Sequence, residues 1–178
     1  MLFRGRQPAA SVWRRFRAGA DEFTFAEVDG HFEARVATNA ERAVDLLHVL
    51  TEQLPPAVDV WVEDLRGRRA WRGAEVALPD VRETIARLKV PLAAYGGVEV
   101  AVYSADDQLT LTTELELYAY ARTDRWLYVL QGKGLVETHT PEPETYALAA
   151  DELGEAPELT GALEAAADRL GLARAGAA

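Results

Sequence analysis

The stretch of residues 108–131 constrains the fold most, because it reads as two neighbouring strands with apolar side chains on both faces. Between residues 109 and 121 the odd positions are largely apolar, while the even positions begin as Thr and Glu and end as Tyr118 and Tyr120. Residues 125–131 carry large apolar groups at odd and even positions alike. Successive side chains of a strand point to opposite faces, and a half-buried strand needs only one apolar face. We therefore expect the second face of this sheet to be covered by the chain's own tail, by a second copy or by a partner.

The dipeptide Asp29-Gly30 predicts another hairpin. It separates two alternating runs, and both of its residues tolerate the positive φ angles that a two-residue hairpin turn requires. Such a turn pairs Val28 with His31 and collects the large apolar side chains on one face. That face receives Phe23, Phe25, Phe32, Ala34 and Val36. The opposite face receives His31, Glu33 and Arg35.

Two helices with apolar stripes follow from capping residues and prolines. A capping box from Thr38 to Glu41 opens the first helix, which stops before Pro55. The second helix has Pro79 at its first position and ends before Pro91. Further strands are predicted at 58–65, 69–72 and 98–104, and C-terminal helices at 146–153 and 159–172.

This order of elements favours an α+β fold with a mostly antiparallel sheet. Two amphipathic helices would lie on one face, and the partly aromatic second face would be covered by terminal helices or a partner. Residues 1–20 would form a basic N-terminal extension with a short helix at 9–18. Residues 21–136 would be the α+β core domain, and residues 137–178 an acidic linker with a C-terminal helical tail.

Charge and composition narrow the function classes. The 178-residue chain has a net charge of −10, which disfavours a nucleic-acid-binding surface. It lacks a long apolar run, so we expect no integral membrane association. It has no cysteine. Of its 19 basic residues only Lys89 and Lys133 are lysines, and this preference for arginine is typical of GC-rich bacterial genomes. We expect a cytoplasmic bacterial protein.

The charges are unevenly distributed along the chain. Residues 1–20 and 66–72 contain arginines without acids, whereas residues 135–160 contain acids without lysine or arginine. These segments are either solvated surface, or the acidic stretch lies against a basic one within or between chains. Salt would weaken the second arrangement, because exposed charges are screened over about 10 Å at 0.1 M.

No motif predicts a catalytic, metal or cofactor site. Ser104 lies outside a nucleophile elbow, and His139 lies in an acidic, proline-flanked loop that favours no convergent metal geometry. The acid pair Asp106-Asp107 is typical of a turn. A turn there sets Glu99 opposite Glu114 across one rung, which is unfavourable unless the pair is solvated or binds something.

The residue types on the second face predict a protein-binding surface. Exposed apolar patches of more than a few hundred Å² usually mark interaction sites. The candidate contacts are Trp61, Tyr103, Glu114, Glu116, Tyr118 and Tyr120. A secondary contact would use Arg69, Trp71 and Arg72, since Arg and Trp dominate interface hot spots.

We therefore expect a non-catalytic protein-binding or regulatory module, acting on a basic protein partner or through self-association. The alternative is a small-molecule sensor or enzyme. Its pocket would lie between this face and the C-terminal helices, with Glu99 and Glu114 as its acids. A third, structural possibility is that residues 159–172 simply cover the aromatic face.

Overall fold

The computed structural model describes residues 21–139 and 153–175. The described strands are β1 (Glu22–Val28), β2 (His31–Ala37), β3 (Ala57–Asp64), β4 (Arg69–Ala77), β5 (Val98–Tyr103), β6 (Asp107–Leu111), β7 (Leu117–Ala121), β8 (Val136–Glu137) and β9 (Ala173–Ala175). The described helices are α1 (Ala40–Leu50), α2 (Leu78–Tyr95), α3 (Arg125–Gly132) and α4 (Pro157–Leu170), and a 3₁₀ turn (Thr51–Gln53) follows α1. The helix predicted at 9–18 and most of the one at 146–153 lie outside the described residues.

The strands form one sheet in the order β8-β1-β2-β7-β6-β5-β3-β4-β9. β8 runs parallel to β1, while the other pairs are antiparallel. The fold is α+β, and the expectation of a mostly antiparallel sheet is corrected to a mixed one. The parallel pair arises because α3 makes a crossover from β7 to the sheet edge, and crossovers of this kind join parallel strands.

The hairpin of β1 and β2 is confirmed. Asp29 and Gly30 have φ angles of 50° and 80°, as a two-residue turn of this type requires. Val28 pairs with His31, and the register continues to Phe23 opposite Val36. Local turn chemistry and side-chain alternation therefore agree at this hairpin.

All four described helices lie on one face of the sheet. α1 packs on β6, β7 and α2, while α2 and α4 pack against each other and on β4. The carbonyls of Gln53 and Lys133 accept from Arg125 and Arg42 respectively, which holds α3 beside α1. Helix and sheet residues share one apolar core, which includes Leu159 and Leu163 of α4.

The position of α4 corrects one prediction. Residues 159–172 do not cover the aromatic face, because α4 packs beside α2 on the opposite one. Its contacts bury the apolar stripe of Leu159, Leu163 and Ala166. After Gly171, β9 pairs with β4 at the sheet edge. Residues 157–175 thus belong to the same core as the preceding strands.

Residues 125–131 form helix α3, so the predicted strand and the hairpin around residues 123–124 are wrong. The apolar residues lie one turn apart, and Trp126 and Leu130 are fully buried. Tyr128 on the outer side is 62% exposed. The apolar groups at both parities are a helical pattern, and they do not require a second covered sheet face.

The long strand predicted at 109–121 is also corrected. It divides into β6 and β7, joined by a turn at residues 112–116. Leu115 adopts a positive φ of 64° in this turn while its side chain is buried. The two strands then pair with each other, with Leu111 opposite Leu117.

Smaller corrections concern caps and register. Asn39, not Thr38, caps α1 by accepting from the backbone N–H of Arg42 at 2.9 Å. Helix α2 continues through Pro91 to Tyr95, because the next turn buries Leu92 and Ala93 in the core. The β5–β6 register differs by two residues from the prediction, and the predicted Glu99–Glu114 opposition is wrong for this reason.

Candidate functional site

The sheet face opposite the helices, which we call the open face, carries an unbroken row of side chains across six strands. Pairings from β2 to β4 place neighbouring residues of this row directly opposite one another. In order, the row is Arg35, Tyr118, Thr110, Ala101, Trp61 and Arg72. The adjacent row is Glu33, Tyr120, Gln108, Tyr103 and Asp59.

We call the middle of the open face, between Trp61 and Tyr118, the groove. Its floor is made by Ala101 and Thr110, which are only 5% and 8% exposed. Its walls are Trp61 and Tyr118, which lie three strand intervals apart, about 14 Å at the usual strand spacing. Both wall residues are half-buried, and no described helix lies over them.

Tyr118 belongs to a hydrogen-bonded network at one wall. Its hydroxyl donates to Glu116 Oε2 at 3.3 Å, and Arg35 donates to Glu116 Oε1 at 2.8 Å. The ring of Tyr118 stacks at 6.1 Å on Tyr120 with an interplanar angle of 9°. Burial first, then the charge of Glu116 and its hydrogen bond, raise the pKa of Tyr118 to about 12, although the charge of Arg35 acts in the opposite direction. The wall is therefore a fixed, neutral aromatic surface at physiological pH.

Two carboxylates face each other beside the other wall. Glu99 of β5 pairs directly with Glu63 of β3. Burial, followed by the charges of Glu63 and Glu114, raises the pKa of the Glu99 carboxyl above its usual range. Like charges at opposite positions of a sheet are unfavourable, so a cation bound here would relieve the repulsion.

The structure brings four of the predicted contact residues together. These are Trp61, Tyr103, Tyr118 and Tyr120. Glu116 lies beside Tyr118, and Glu114 lies in the turn that joins β6 and β7.

The predicted secondary contact is divided between the two faces. Arg72 lies on the open face opposite Trp61, whereas Trp71 is buried on the helical face. Arg69 donates to the buried carboxylate of Asp64 at 2.7 Å and to Glu164 of α4 at 2.8 Å. Arg69 and Trp71 therefore hold α4 in place.

Sequence reasoning missed several members of the open face, namely Arg35, Gln108, Thr110 and the small floor residue Ala101. The alternation in β2 already turned Arg35 away from the core. Arg35 lies beside Tyr118 only because β2 pairs with β7. These strands are about 80 residues apart, and neither carries a local signal of the pairing.

Comparisons with known family models, curated proteins and solved structures find no match, so no activity is carried over from a relative. None of the helices within residues 21–139 and 153–175 has the length and apolar character needed to cross a bilayer. In the same ranges no three His, Asp or Glu side chains are grouped closely enough to hold a metal ion.

Proposed function

We propose that this chain is a non-catalytic protein-binding or regulatory module of a bacterial cytosolic system, and that its partner binds the open face. The observation that carries the proposal is the row of half-buried aromatic side chains around a groove that no described helix covers. Aromatic residues supply large contact areas at a small entropic cost, and they dominate the binding energy of many interfaces.

The charges around the groove favour a basic partner. Among the residues that the structure describes, carboxylates outnumber guanidinium groups around the groove. The carboxylates are Glu33, Asp59, Glu63, Glu99 and Glu116, and the guanidinium groups are Arg35 and Arg72. Such an excess accelerates the approach of a positively charged surface and slows that of a negative one.

A second copy of the chain fits less well. A two-fold symmetric dimer sets the same patch against itself, so carboxylates would approach carboxylates across the contact. Two copies would therefore have to bind with their patches offset, so that the carboxylates of one copy avoid those of the other. A basic foreign protein needs no such offset.

The alternative of an enzyme or sensor pocket based on Glu99 and Glu114 has less support. This pocket requires the C-terminal helices to cover the open face, but α4 packs on the opposite face. The direct neighbour of Glu99 is Glu63.

Affinity capture with face variants tests the proposal. The immobilised chain is exposed to a lysate of its native cell at low salt, and retained proteins are identified by mass spectrometry. The test variant combines Trp61→Ala and Tyr118→Ala, and the matched control is Tyr128→Ala, which removes an exposed aromatic from α3.

We expect the wild type and the control to retain the same basic protein. The double variant should retain at least about ten-fold less of it, as the loss of central aromatic contacts predicts. Recovery should also fall as salt rises. Equal retention by the double variant and the control would contradict the proposal. It would also be contradicted if the wild type retained no protein and its mass in solution were that of a monomer.

A further inference from the structure

One level of the open face carries a line of carboxylates, which we call the acid row. Its members, taken across the sheet from β1 to β3, are Glu22, Glu116, Glu99 and Glu63. The strand register sets them at one level. The pairings that fix it are Glu22 with Ala37, Val36 with Leu117, Leu111 with Leu117, Val100 with Leu111, and Glu99 with Glu63. The acid row thus begins at the first residue of β1.

Most of the negative charge in the acid row is not neutralised by described residues. Glu116 is paired with Arg35 at 2.8 Å. Within residues 21–139 and 153–175, no lysine or arginine forms an ion pair with Glu22, Glu63 or Glu99. These three side chains are half-buried. A carboxylate that has lost part of its hydration is stabilised by a nearby cation, so the acid row favours the binding of positive charge.

The chain itself carries such cations immediately before β1. Residues 1–20 lie outside the described residues and contain no acid. Their basic residues are Arg4, Arg6, Arg14, Arg15 and Arg17. The net charge of the whole chain is −10, so the remainder of the chain is more acidic still. The basic segment therefore joins the described fold directly beside Glu22, where the acid row begins.

The length of this segment matches the length of the acid row. Four strand intervals separate Glu22 from Glu99, about 19 Å at the usual strand spacing. Arg14 precedes Asp21 by seven residues, and seven extended residues span up to about 23 Å. The arginine side chain adds to this reach. The arginines nearest to β1 can therefore contact the carboxylates of β5 without any change in the described fold.

We propose that residues 1–20 of the same chain bind the acid row, with their arginines beside Glu99 and Glu63. Guanidinium groups suit this row, because they form paired hydrogen bonds with carboxylates and stay charged at physiological pH. The bound segment would lie alongside Trp61 and Tyr118 and leave the indole of Trp61 open to solvent. A basic partner would compete with the segment for these carboxylates, a consequence that rests on the proposed function, whereas the contact itself does not.

Paramagnetic relaxation in the full chain tests this contact. Because the chain has no cysteine, Ser11→Cys carries a nitroxide label at a single point of the segment. We expect the label to weaken the amide signals of Glu99 and Glu63, which lie about 19 and 24 Å from Glu22 across the sheet. The amide signal of Val90, exposed on α2, should keep its intensity. Salt at about 1 M should restore the weakened signals, because it reduces the screening length to about 3 Å.

Charge variants separate binding from mere tethering near β1. Glu63→Gln combined with Glu99→Gln removes two carboxylates of the acid row and should abolish most of the signal loss in β3 and β5. The matched control combines Glu27→Gln with Asp80→Asn, which removes two exposed carboxylates outside the acid row and should leave the signal loss unchanged.

Two further samples complete the test. Arg14→Gln combined with Arg15→Gln removes the charge from the segment, so it should abolish the signal loss even if the variant of the acid row fails to fold. In a mixed sample, nitroxide-labelled chains without isotope meet isotope-labelled chains without nitroxide, and we expect no signal loss in β3 and β5.

Signal loss in the mixed sample equal to that in the singly labelled chain would mean that the segment of a second copy binds, and would overturn the proposal. So would the absence of signal loss in β3 and β5 at low salt, or equal loss in the variant of the acid row and its control. None of these outcomes involves an external partner, so a failure here is distinct from a failure of the proposed function.

Discussion

The two faces of the sheet carry different side chains, and only one of them is covered by the described helices. The helical face consists mainly of Val, Leu and Ala, and helices α1 to α4 bury it. The open face carries mainly aromatic, charged and polar residues, many of them half-buried. Burial of apolar area is the main source of stability, so one fully covered face is enough to fold a chain of this size. The second face is then available for the recognition that we propose for it.

The largest expected difference between the faces is the response to loss of an indole. Trp126 is fully buried among the helices, and its Nε1 donates to the carbonyl of Tyr120 at 3.1 Å. Trp126→Ala should lower the free energy of unfolding by about 4 kcal/mol, as expected for a cavity left by a large aromatic residue. Trp61→Ala on the open face should lower it by less than about 1 kcal/mol.

Urea denaturation of the two variants measures both values. Similar losses would mean that Trp61 is packed as tightly as Trp126. The distinction between a structural face and a recognition face would then fail.

The next difference concerns ion pairs. Asp64 is 1% exposed on the helical face, where it is paired with Arg69 at 2.7 Å. Asp64→Ala removes the buried partner of Arg69, which keeps only the exposed carboxylate of Glu164, and should cost about 3 kcal/mol of unfolding free energy. Glu116→Ala breaks the half-exposed pair with Arg35 on the open face and should cost less than about 1 kcal/mol. Thermal unfolding at low and high salt compares them, and only the Glu116 effect should diminish as salt rises. A cost for Asp64→Ala no larger than for Glu116→Ala would show that the helical face is not closed there.

A smaller effect is expected where Leu172 packs on β4. Gly73→Ala places a Cβ atom 2.5 Å from Leu172 Cδ2 and 2.9 Å from Val76 Cγ2, so these side chains must move, at a cost of about 1 kcal/mol. Gly161→Ala is the control, because a Cβ atom there meets nothing within 4 Å inside helix α4. It should raise stability by about 0.5 to 1 kcal/mol, as helix propensity predicts. Chemical denaturation should show opposite signs for the two changes in unfolding free energy. Equal signs would contradict the close packing of Leu172 on β4.

The smallest effect is a pH dependence on the open face. The pKa of Glu99 is raised in the folded chain, so the folded state binds a proton more readily than the unfolded state. Stability from this group therefore decreases as pH rises from the usual glutamate range through the raised pKa. Glu99→Gln should stabilise the protein at pH 7 by a few tenths of a kcal/mol, on the order of half-exposed charge effects. The benefit should vanish below about pH 4, where unfolded glutamates are also protonated.

Unfolding measured from pH 3 to 8 checks the sign of this effect, with the exposed Glu27→Gln as control. Destabilisation by Glu99→Gln at neutral pH would mean that the carboxylate is held by a favourable partner instead of being repelled by Glu63.

Local signals in the sequence predicted the local parts of the fold. Asp29-Gly30 specifies a turn by its backbone angles, so the β1–β2 register could be derived without any other part of the chain. Residues 125–131 show the limit of this reasoning. Trp, Tyr and Val favour strands as isolated residues, but here Trp126 and Leu130 both enter the core one helical turn apart. A run of seven residues is too short for periodicity alone to decide.

The candidate site could be predicted in part. The alternation in single strands identified Trp61, Tyr103, Tyr118 and Tyr120 as residues turned away from the core. Their assembly into one groove depends on β5 and β6 lying between β3 and β7. This strand order is determined by packing between residues far apart in the sequence, so no local pattern predicts it.

Accessibility of the tryptophan indoles to a soluble gadolinium chelate tests the contrast between the two faces most directly. The N–H resonances are assigned with single Trp→Phe variants, and their relaxation enhancement is measured in the free protein. We predict strong enhancement at Trp61 and none above background at Trp71 and Trp126, which lie on the helical face. Protection of Trp61 equal to that of Trp126 would show that the open face is already covered, and would contradict its proposed role as a free binding surface.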